Sequence, residues 1–186
     1  MSSEKPRGVP HESAEPDNQQ ERPVATDWVV GFVDGEGCFS IGLVRQPDRP
    51  DRRGYRLGYQ VTHDFTVTQG AKSLGCLENL REFFGVGYVY RNTRQDNHTE
   101  DLYQFNVSRR RDLIDVIVPF FRRHQLRTAK REDFEKFARC LLITESGRHK
   151  TRDGLVEILE IAQTMNRRKS RQDVIGILRG HTPNLE

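Results

Sequence analysis

The hydrophobic and polar positions of this chain change period several times, and each period predicts an element. Residues 28–37 begin as an almost unbroken apolar run, which predicts a helix buried on nearly all sides, with Thr26 as its N-cap. Residues 38–44 and 56–68 alternate between apolar and polar side chains, as half-buried strands do. A connection rich in Pro, Asp and Arg separates the two predicted strands.

The pattern then repeats. Residues 71–84 have apolar positions at helical spacing, and the glycines that follow end that helix. Residues 88–94 and 102–108 again alternate, which predicts a second pair of strands joined by a polar loop. A further helix is capped by Ser108 and is expected to stop near Pro119.

The last third of the chain has helical periodicity only. Thr128 is the expected N-cap of one amphipathic helix, a second is expected to start at Thr151, and residues 173–178 form a short terminal one. The predicted order is therefore αββαββα with appended helices, an α+β fold in which four strands form one antiparallel sheet. Residues 25–180 would be one domain between an N-terminal tail, 1–24, and a C-terminal tail, 181–186.

The solvent-facing side of the predicted sheet is polar but carries little charge. In the second strand, Gln60, Thr62, Asp64, Thr66 and Thr68 share one face, whereas a merely solvated face usually carries more Lys and Glu. Amides and hydroxyls are the groups that read base edges in the major groove of DNA. This face is therefore the candidate nucleic-acid surface.

Composition narrows the class of protein further. Apolar residues make up 34% of the chain and charged residues 31%, and no apolar run approaches the ~20 residues of a membrane span. The net charge is +3, but residues 1–22 contribute −2, so the remainder carries +5, which suggests a polyanionic partner. This polar, acidic segment lacks the features of a secretion or transit signal and is predicted to be disordered.

Cysteine and histidine do not form clusters along the chain. Three widely spaced cysteines and six scattered histidines favour neither a zinc site nor a disulfide framework, and a reducing, intracellular compartment fits. His63 is interpreted as a packed or surface residue of a strand rather than a ligand. The host compartment stays unknown.

The end of the first helix combines two unusual features. Gly31 and Gly35 share one helix face, although each glycine costs up to ~1 kcal/mol in a helix. Asp34 and Glu36 lie where the helix dipole disfavours anions, so a divalent cation is one partner that explains them. The alternative is a buried helix with Gly37 as its C-cap and a solvated acidic end.

Residues 29–37, Val-Val-Gly-Phe-Val-Asp-Gly-Glu-Gly, resemble the signature of the LAGLIDADG homing endonucleases. Glu36 stands where that family usually has its catalytic Asp. Four further blocks resemble the family in its order: residues 65–69, 85–89, 126–134 and 154–167. The resemblance covers about residues 27–171 and implies a curved, four-stranded, DNA-binding sheet.

The resemblance also implies a mechanism. Members with a single signature act as homodimers, and here the interface would use Val30, Gly31, Asp34 and Gly35. Glu36 and the carbonyl of Gly35 would bind Mg²⁺, or Mn²⁺ or Ca²⁺ in the same site. Gln69 would orient water, although it could equally cap a helix, and Lys130 would stabilise the scissile phosphate, with Arg127 and Arg131 as alternative registers. Asp34 is interpreted as mainly structural.

The implied partner is double-stranded DNA, cut at a long pseudo-palindromic site. The candidate base-reading and phosphate-binding residues are Ser40, Arg56, Gln60, Thr62, Thr66, Tyr90, Asn92, Arg94, Gln104, Asn106, Arg167, Arg168, Lys169 and Arg171. For the basic residues between 167 and 171, a solvated loop is the alternative.

Two other functions stay open. An intron maturase would bind its own intron RNA, using the arginines at 109–111 and 122–123. A DNA-binding regulator on the same fold would have lost the acids, which retention of Glu36 and Gln69 argues against. HNH and GIY-YIG nucleases are disfavoured because their motifs are missing.

Overall fold

The computed structural model describes residues 24–48, 50, 53–92, 101–166 and 170–180. The predicted alternation of elements is confirmed in these residues. In chain order they are α1 Thr26–Glu36, β1 Gly37–Arg45, β2 Tyr59–Gly70, a 3-10 turn Ala71–Ser73, α2 Leu74–Phe84, β3 Tyr88–Asn92, β4 Leu102–Val107, α3 (the consecutive segments Arg110–Asp112, Leu113–Ile117 and Val118–Arg123), α4 Lys130–Glu145, a 3-10 turn Arg148–Lys150, α5 Arg152–Ala162 and α6 Gln172–Gly180.

The four strands form one antiparallel sheet in the order β1-β2-β4-β3. The architecture is thus α+β, as expected. β2 is central and 12 residues long: residues 59–64 pair only with β1, residues 65–67 pair with both neighbours, and residues 68–70 pair only with β4.

One face of the sheet carries the hydrophobic core. Phe39, Phe65 and Phe105 are fully buried on three neighbouring strands, and Phe39 stacks on Phe65 at a centroid distance of 4.9 Å. Phe121 of α3 meets both of these rings edge-on, which closes the core from the helix side. The alternation in the sequence therefore indicated the inward face correctly. Core-facing apolar side chains of this size each contribute roughly 1.5–3 kcal/mol by leaving water.

The helix expected to stop near Pro119 continues to Arg123. Its segment Leu113–Ile117 is a π-helix, and proline occupies the first turn of the α-helical segment that follows. The wider π turn explains the difference, because a proline must avoid the carbonyl four residues earlier and cannot donate a backbone hydrogen bond.

Several helix starts also differ from expectation. Thr26 is the first residue of α1 rather than its cap, and Ser108 does not cap α3, whose flanking residue is Arg109. Thr151, the expected start of a helix, is its N-cap and accepts a hydrogen bond from Gly154 N at 3.2 Å. Thr128 lies two residues before α4, where its hydroxyl accepts from Lys130 N at 3.3 Å.

Burial around α1 is one-sided in the single chain, which corrects the expectation of burial on nearly all sides. Val29, Val30 and Val33 are buried, whereas Gly31 and Gly35 are exposed. The apolar residues of this helix therefore divide between a core face and a second face that no other part of the described chain covers. Val24, assigned to the tail by the sequence interpretation, packs against the core.

Asn166 and Arg171, which precede α6, contact the outer edge of β1. Asn166 Nδ2 donates to Phe39 O at 2.8 Å, and the half-buried Arg171 guanidinium donates to Ile41 O at 2.6 Å. These bonds satisfy carbonyls of an edge strand that would otherwise be open to pairing with another chain. The predicted phosphate contacts of Arg167, Arg168 and Lys169, the position of Arg94 and, apart from Val24, both predicted tails lie outside the described residues.

Within those residues, every helix is too short or too polar to cross a membrane.

Candidate active site

α1 runs directly into β1, and this junction positions the candidate acid. Glu36 ends the helix and Gly37 begins the strand. A Cβ atom on Gly37 would lie 2.6 Å from the Val33 side chain and 2.8 Å from its carbonyl, so only glycine fits there. The Glu36 side chain is exposed at this turn, just beyond the core.

Asp34 holds the loop before α4 against α1. Its carboxylate accepts hydrogen bonds from Arg127 N at 2.7 Å, Thr128 N at 3.2 Å and Thr128 Oγ1 at 2.8 Å. Burial alone would raise the pKa of Asp34, but these bonds and the nearby Lys130 charge outweigh it and lower the pKa. The expected structural role of Asp34 is thus seen within one chain, as a brace between α1 and the start of α4.

This brace brings Lys130 to the end of α1. Lys130 Nζ donates to the carbonyl oxygen of Gly35 at 3.1 Å. Partial burial lowers the pKa of Lys130, while the negative charges of Asp34 and Glu36 act in the opposite direction. Of the three registers left open by the sequence, Lys130 is the one for which the described residues show a hydrogen bond to the candidate metal-binding carbonyl.

The oxygen donors at this junction suit a hard cation such as Mg²⁺, but they are few. The described residues contain no group of three or more His, Cys, Asp or Glu side chains able to hold a metal. One chain supplies the Glu36 carboxylate and the Gly35 carbonyl, so a six-coordinate ion would need the remaining ligands from water, phosphate or a second subunit.

Gln69 lies at the end of β2, two residues beyond the Val67 that pairs with Gly37. Its strand parity matches Val67, so its side chain starts on the helix-bearing face near the end of α1, and Tyr103 is its neighbour on β4. The role predicted for it in orienting water stays a prediction.

The opposite face of the sheet carries the amides and hydroxyls expected there. Asn106 Nδ2 donates to Tyr90 Oη at 3.3 Å, and Tyr90 Oη donates to Gln104 Oε1 at 3.2 Å. Gln60 Oε1 accepts from Gln46 Nε2 at 3.1 Å, a contact that sequence reasoning did not find. The strand register puts Ser40, Thr62, Thr66 and Asn92 on the same face.

Two predicted DNA contacts lie outside the strands of the sheet. Arg56 is exposed in the turn before β2 rather than in the strand. Arg171 is engaged at the edge of β1, and burial lowers the pKa of its guanidinium. Asp64, conversely, lies on the polar face but is not among the predicted DNA contacts. The sequence distinguishes it by its charge, since the other residues of that row are uncharged.

The sequence pattern of the LAGLIDADG endonuclease family matches residues 29–141, which is more than half of the chain and includes the α1–β1 junction and Lys130. The chain belongs to the LAGLIDADG endonuclease family.

Solved structures of this LAGLIDADG fold include the homing endonuclease I-TnaI, which is 39% identical with a TM-score of 0.70. The match covers 85% of this chain and 97% of I-TnaI. I-SmaMI, solved with uncleaved DNA target and calcium ions, is 27% identical with a TM-score of 0.71. That match covers 86% of this chain but 50% of I-SmaMI.

Among curated relatives, an uncharacterised ND4 intron 1 protein of Podospora anserina is 32% identical over 67% of this chain. A probable intron-encoded endonuclease of Neurospora crassa is 27% identical over 77% of the chain. The matched regions cover 25% and 28% of these two relatives, so the LAGLIDADG chain described here spans only about a quarter of their length.

Proposed function

We propose that this LAGLIDADG protein is a homodimeric, site-specific homing endonuclease that cuts both strands of a long pseudo-palindromic DNA target and requires Mg²⁺. The observation that carries the proposal is the α1–β1 junction. There the exposed Glu36 carboxylate lies next to the Gly35 carbonyl, which accepts a hydrogen bond from the Lys130 ammonium, at the start of the sheet.

The exposed face of α1 supports the homodimer. Cβ atoms on Gly31 and Gly35 would meet no atom within 4 Å, so a second backbone can approach closely here. The near-complete match to I-TnaI and the half-length match to I-SmaMI suit a chain with one copy of the signature. A two-fold axis along this face would bring the Glu36 side chains of both subunits together.

The residues at the junction divide the chemistry between them. Glu36 and the Gly35 carbonyl would hold the divalent ion, which supplies charge stabilisation at the phosphate and a more acidic bound water. Asp34 keeps the start of α4 against α1, so the Lys130 ammonium is positioned before substrate arrives. That ammonium stabilises negative charge developing at the scissile phosphate, and Gln69 orients water.

The sheet supplies the length needed for a site. β1 has 9 residues and β2 has 12. At ~3.3 Å per residue and ~3.4 Å per base pair, one subunit follows roughly nine base pairs of major groove, and a dimer about twice that. The amide of Gln104 reads base edges, and Asn106, whose amide donates to Tyr90 and Asp64, keeps its neighbours in position. Arg167, Arg168 and Lys169 bind phosphates.

Cleavage of a randomised DNA library in Mg²⁺ tests the proposal, with the wild-type protein beside Glu36→Gln. The expected result is double-strand cutting at one pseudo-palindromic site, abolished in the variant, which has the same shape but lacks the charge. Tight binding to one site without cutting by either protein would instead favour a regulator. If the protein neither binds nor cuts DNA, both the endonuclease and the regulator are ruled out, and intron RNA is the next ligand to test.

The maturase alternative has weaker support. Arg109, Arg110 and Arg111 face acidic partners, with Arg110 Nε 3.0 Å from Glu145 and Arg111 Nε 3.1 Å from Asp115. Their charge is therefore largely balanced within the chain.

A further inference from the structure

One carboxylate interrupts the polar face of the sheet. Asp64 lies on β2 opposite Ser40 of β1, between Thr62 and Thr66 along the same face. It is the single charged residue on this face among the described strand residues. If this face binds DNA, a carboxylate there is unfavourable because the phosphates of DNA are negative. A favourable contact between the carboxylate and a nucleobase would offset this repulsion.

The surroundings of Asp64 do not neutralise its charge. The side chain is half-buried, and this burial raises its pKa, whereas hydrogen bonds from Asn106 and Thr62 lower it to a smaller extent. In the described part of the chain no Lys or Arg is among the groups that act on it. A desolvated carboxylate without a cation destabilises the fold. Its presence is therefore better explained by an interaction that the isolated chain does not make.

A side-chain network holds this carboxylate in place. Asn106 links Asp64 to Tyr90, and Tyr90 continues the chain to Gln104, so the network crosses β2, β4 and β3. A carboxylate offers about four acceptor positions, and the two donors from Asn106 and Thr62 leave capacity for another. Asp64 is thus an oriented acceptor on the face that the proposed function assigns to DNA.

We propose that Asp64 selects a cytosine in each half-site of the target, by accepting a hydrogen bond from the N4 amino group in the major groove. At this edge cytosine presents the N4 donor without an acceptor, whereas adenine presents its N6 donor beside the N7 acceptor. Guanine and the carbonyl of thymine present acceptors, which a carboxylate repels. This inference rests on the proposed DNA-binding function and adds a base-specific contact to it.

The test is selection of bound DNA from a randomised library in Ca²⁺, the ion present with uncleaved DNA in the I-SmaMI structure. The proteins are wild type, Asp64→Ala, Asp64→Asn and the control Glu82→Gln. Glu82 is exposed on α2, in the helix layer on the other side of the sheet, so its variant removes the same charge away from the proposed contact.

Wild type and Glu82→Gln should select cytosine at one position of each half-site. Asp64→Ala should lose that preference by roughly tenfold, as one mismatched base pair typically costs, and keep the rest of the site. Asp64→Asn should fold at least as well as wild type at neutral pH, because it removes a desolvated charge, which keeps the test valid if the alanine variant unfolds.

Two results would overturn the inference alone. One is an unchanged base preference in both Asp64 variants. The other is an equal loss of selectivity at every position together with a lower melting temperature, which would mean that Asp64 only supports the sheet. If wild type selects no sequence at all, the proposed function itself fails.

Discussion

The ammonium group of Lys130 and the carbonyl oxygen of Gly35 lie 3.1 Å apart, although 95 residues separate them in the chain. This contact fixes the start of α4 to the end of α1 at the place where Glu36 projects. The cation is therefore part of the fold before any substrate binds, and its position depends on the brace between Asp34 and the loop that contains Thr128.

Replacing Lys130 by Met should slow cleavage about 10²–10³-fold while binding to the target in Ca²⁺ is kept, because one preorganised donor of charge stabilisation is lost and its aliphatic part remains. Single-turnover cleavage rates on the selected target measure this. Arg131→Met is the matched control, since its exposed side chain is the next residue of the same helix. A larger loss of cleavage rate in Arg131→Met than in Lys130→Met would show that Arg131, and not Lys130, has this role.

Replacing Asp34 by Ala should lower the free energy of unfolding by about 1–3 kcal/mol, because two backbone N–H groups and a hydroxyl lose their acceptor. Urea denaturation measures the loss. The lowered pKa of Asp34 means that its contribution is present above the ordinary pKa of 3.8 and is lost as the pH falls through the folded value. Asp27→Asn, in the exposed first turn of the same helix, is the control. Equal losses in the two variants would contradict the brace.

The features predicted correctly from sequence are those that neighbouring residues determine. The alternation in β1 and β2 identified both faces of the sheet. A helix start was predicted at Thr151, whose capping partner Gly154 is only three residues away. The partners of Asp34 and Arg171 lie 93 and 130 residues away, so no local pattern indicates them.

Two other features of the structure could not be predicted from residue types alone. Pro119 was expected to end a helix because it breaks a regular α-helix, and the sequence gives no sign of the π turn before it. At the candidate site, the roles of Glu36 and Gly35 stay predictions from the signature, and the contact between Lys130 and the Gly35 carbonyl is seen only in the folded chain.

His63 should make folding stability depend on pH. The hydroxyl of Thr144 donates to Cys140 O, so it accepts from His63 Nε2 at 3.1 Å, and the imidazole is neutral. Burial lowers the pKa of His63 to about 4, whereas the unfolded chain takes up a proton near 6.5. The contribution of neutral His63 to the free energy of unfolding is therefore complete above pH 6.5. As the pH falls toward 4, the free energy of unfolding decreases by roughly 3 kcal/mol in all.

Urea denaturation at several pH values in this window measures the effect of His63. His63→Gln should be less stable at neutral pH but show a flatter dependence, because the amide does not titrate. His124→Gln, at a histidine that is only half-buried, should keep the wild-type slope. Identical slopes for wild type and His63→Gln would show that another group causes the pH dependence.

Gly31→Ala should separate dimer formation from folding. A Cβ atom at Gly31 meets nothing within 4 Å in the single chain, and alanine favours a helix over glycine by up to ~1 kcal/mol, so monomer stability should be equal or higher. In the proposed dimer the same methyl group lies between two closely packed helices, so the dissociation constant should rise by at least tenfold and double-strand cleavage should fall with it.

Gly75→Ala is a matched control, because Gly75 is also exposed in a helix with open space around its Cβ position. Sedimentation over a range of protein concentrations measures both variants. If Gly31→Ala and Gly75→Ala dimerise as wild type does, the face of α1 that carries Gly31 is not the subunit interface.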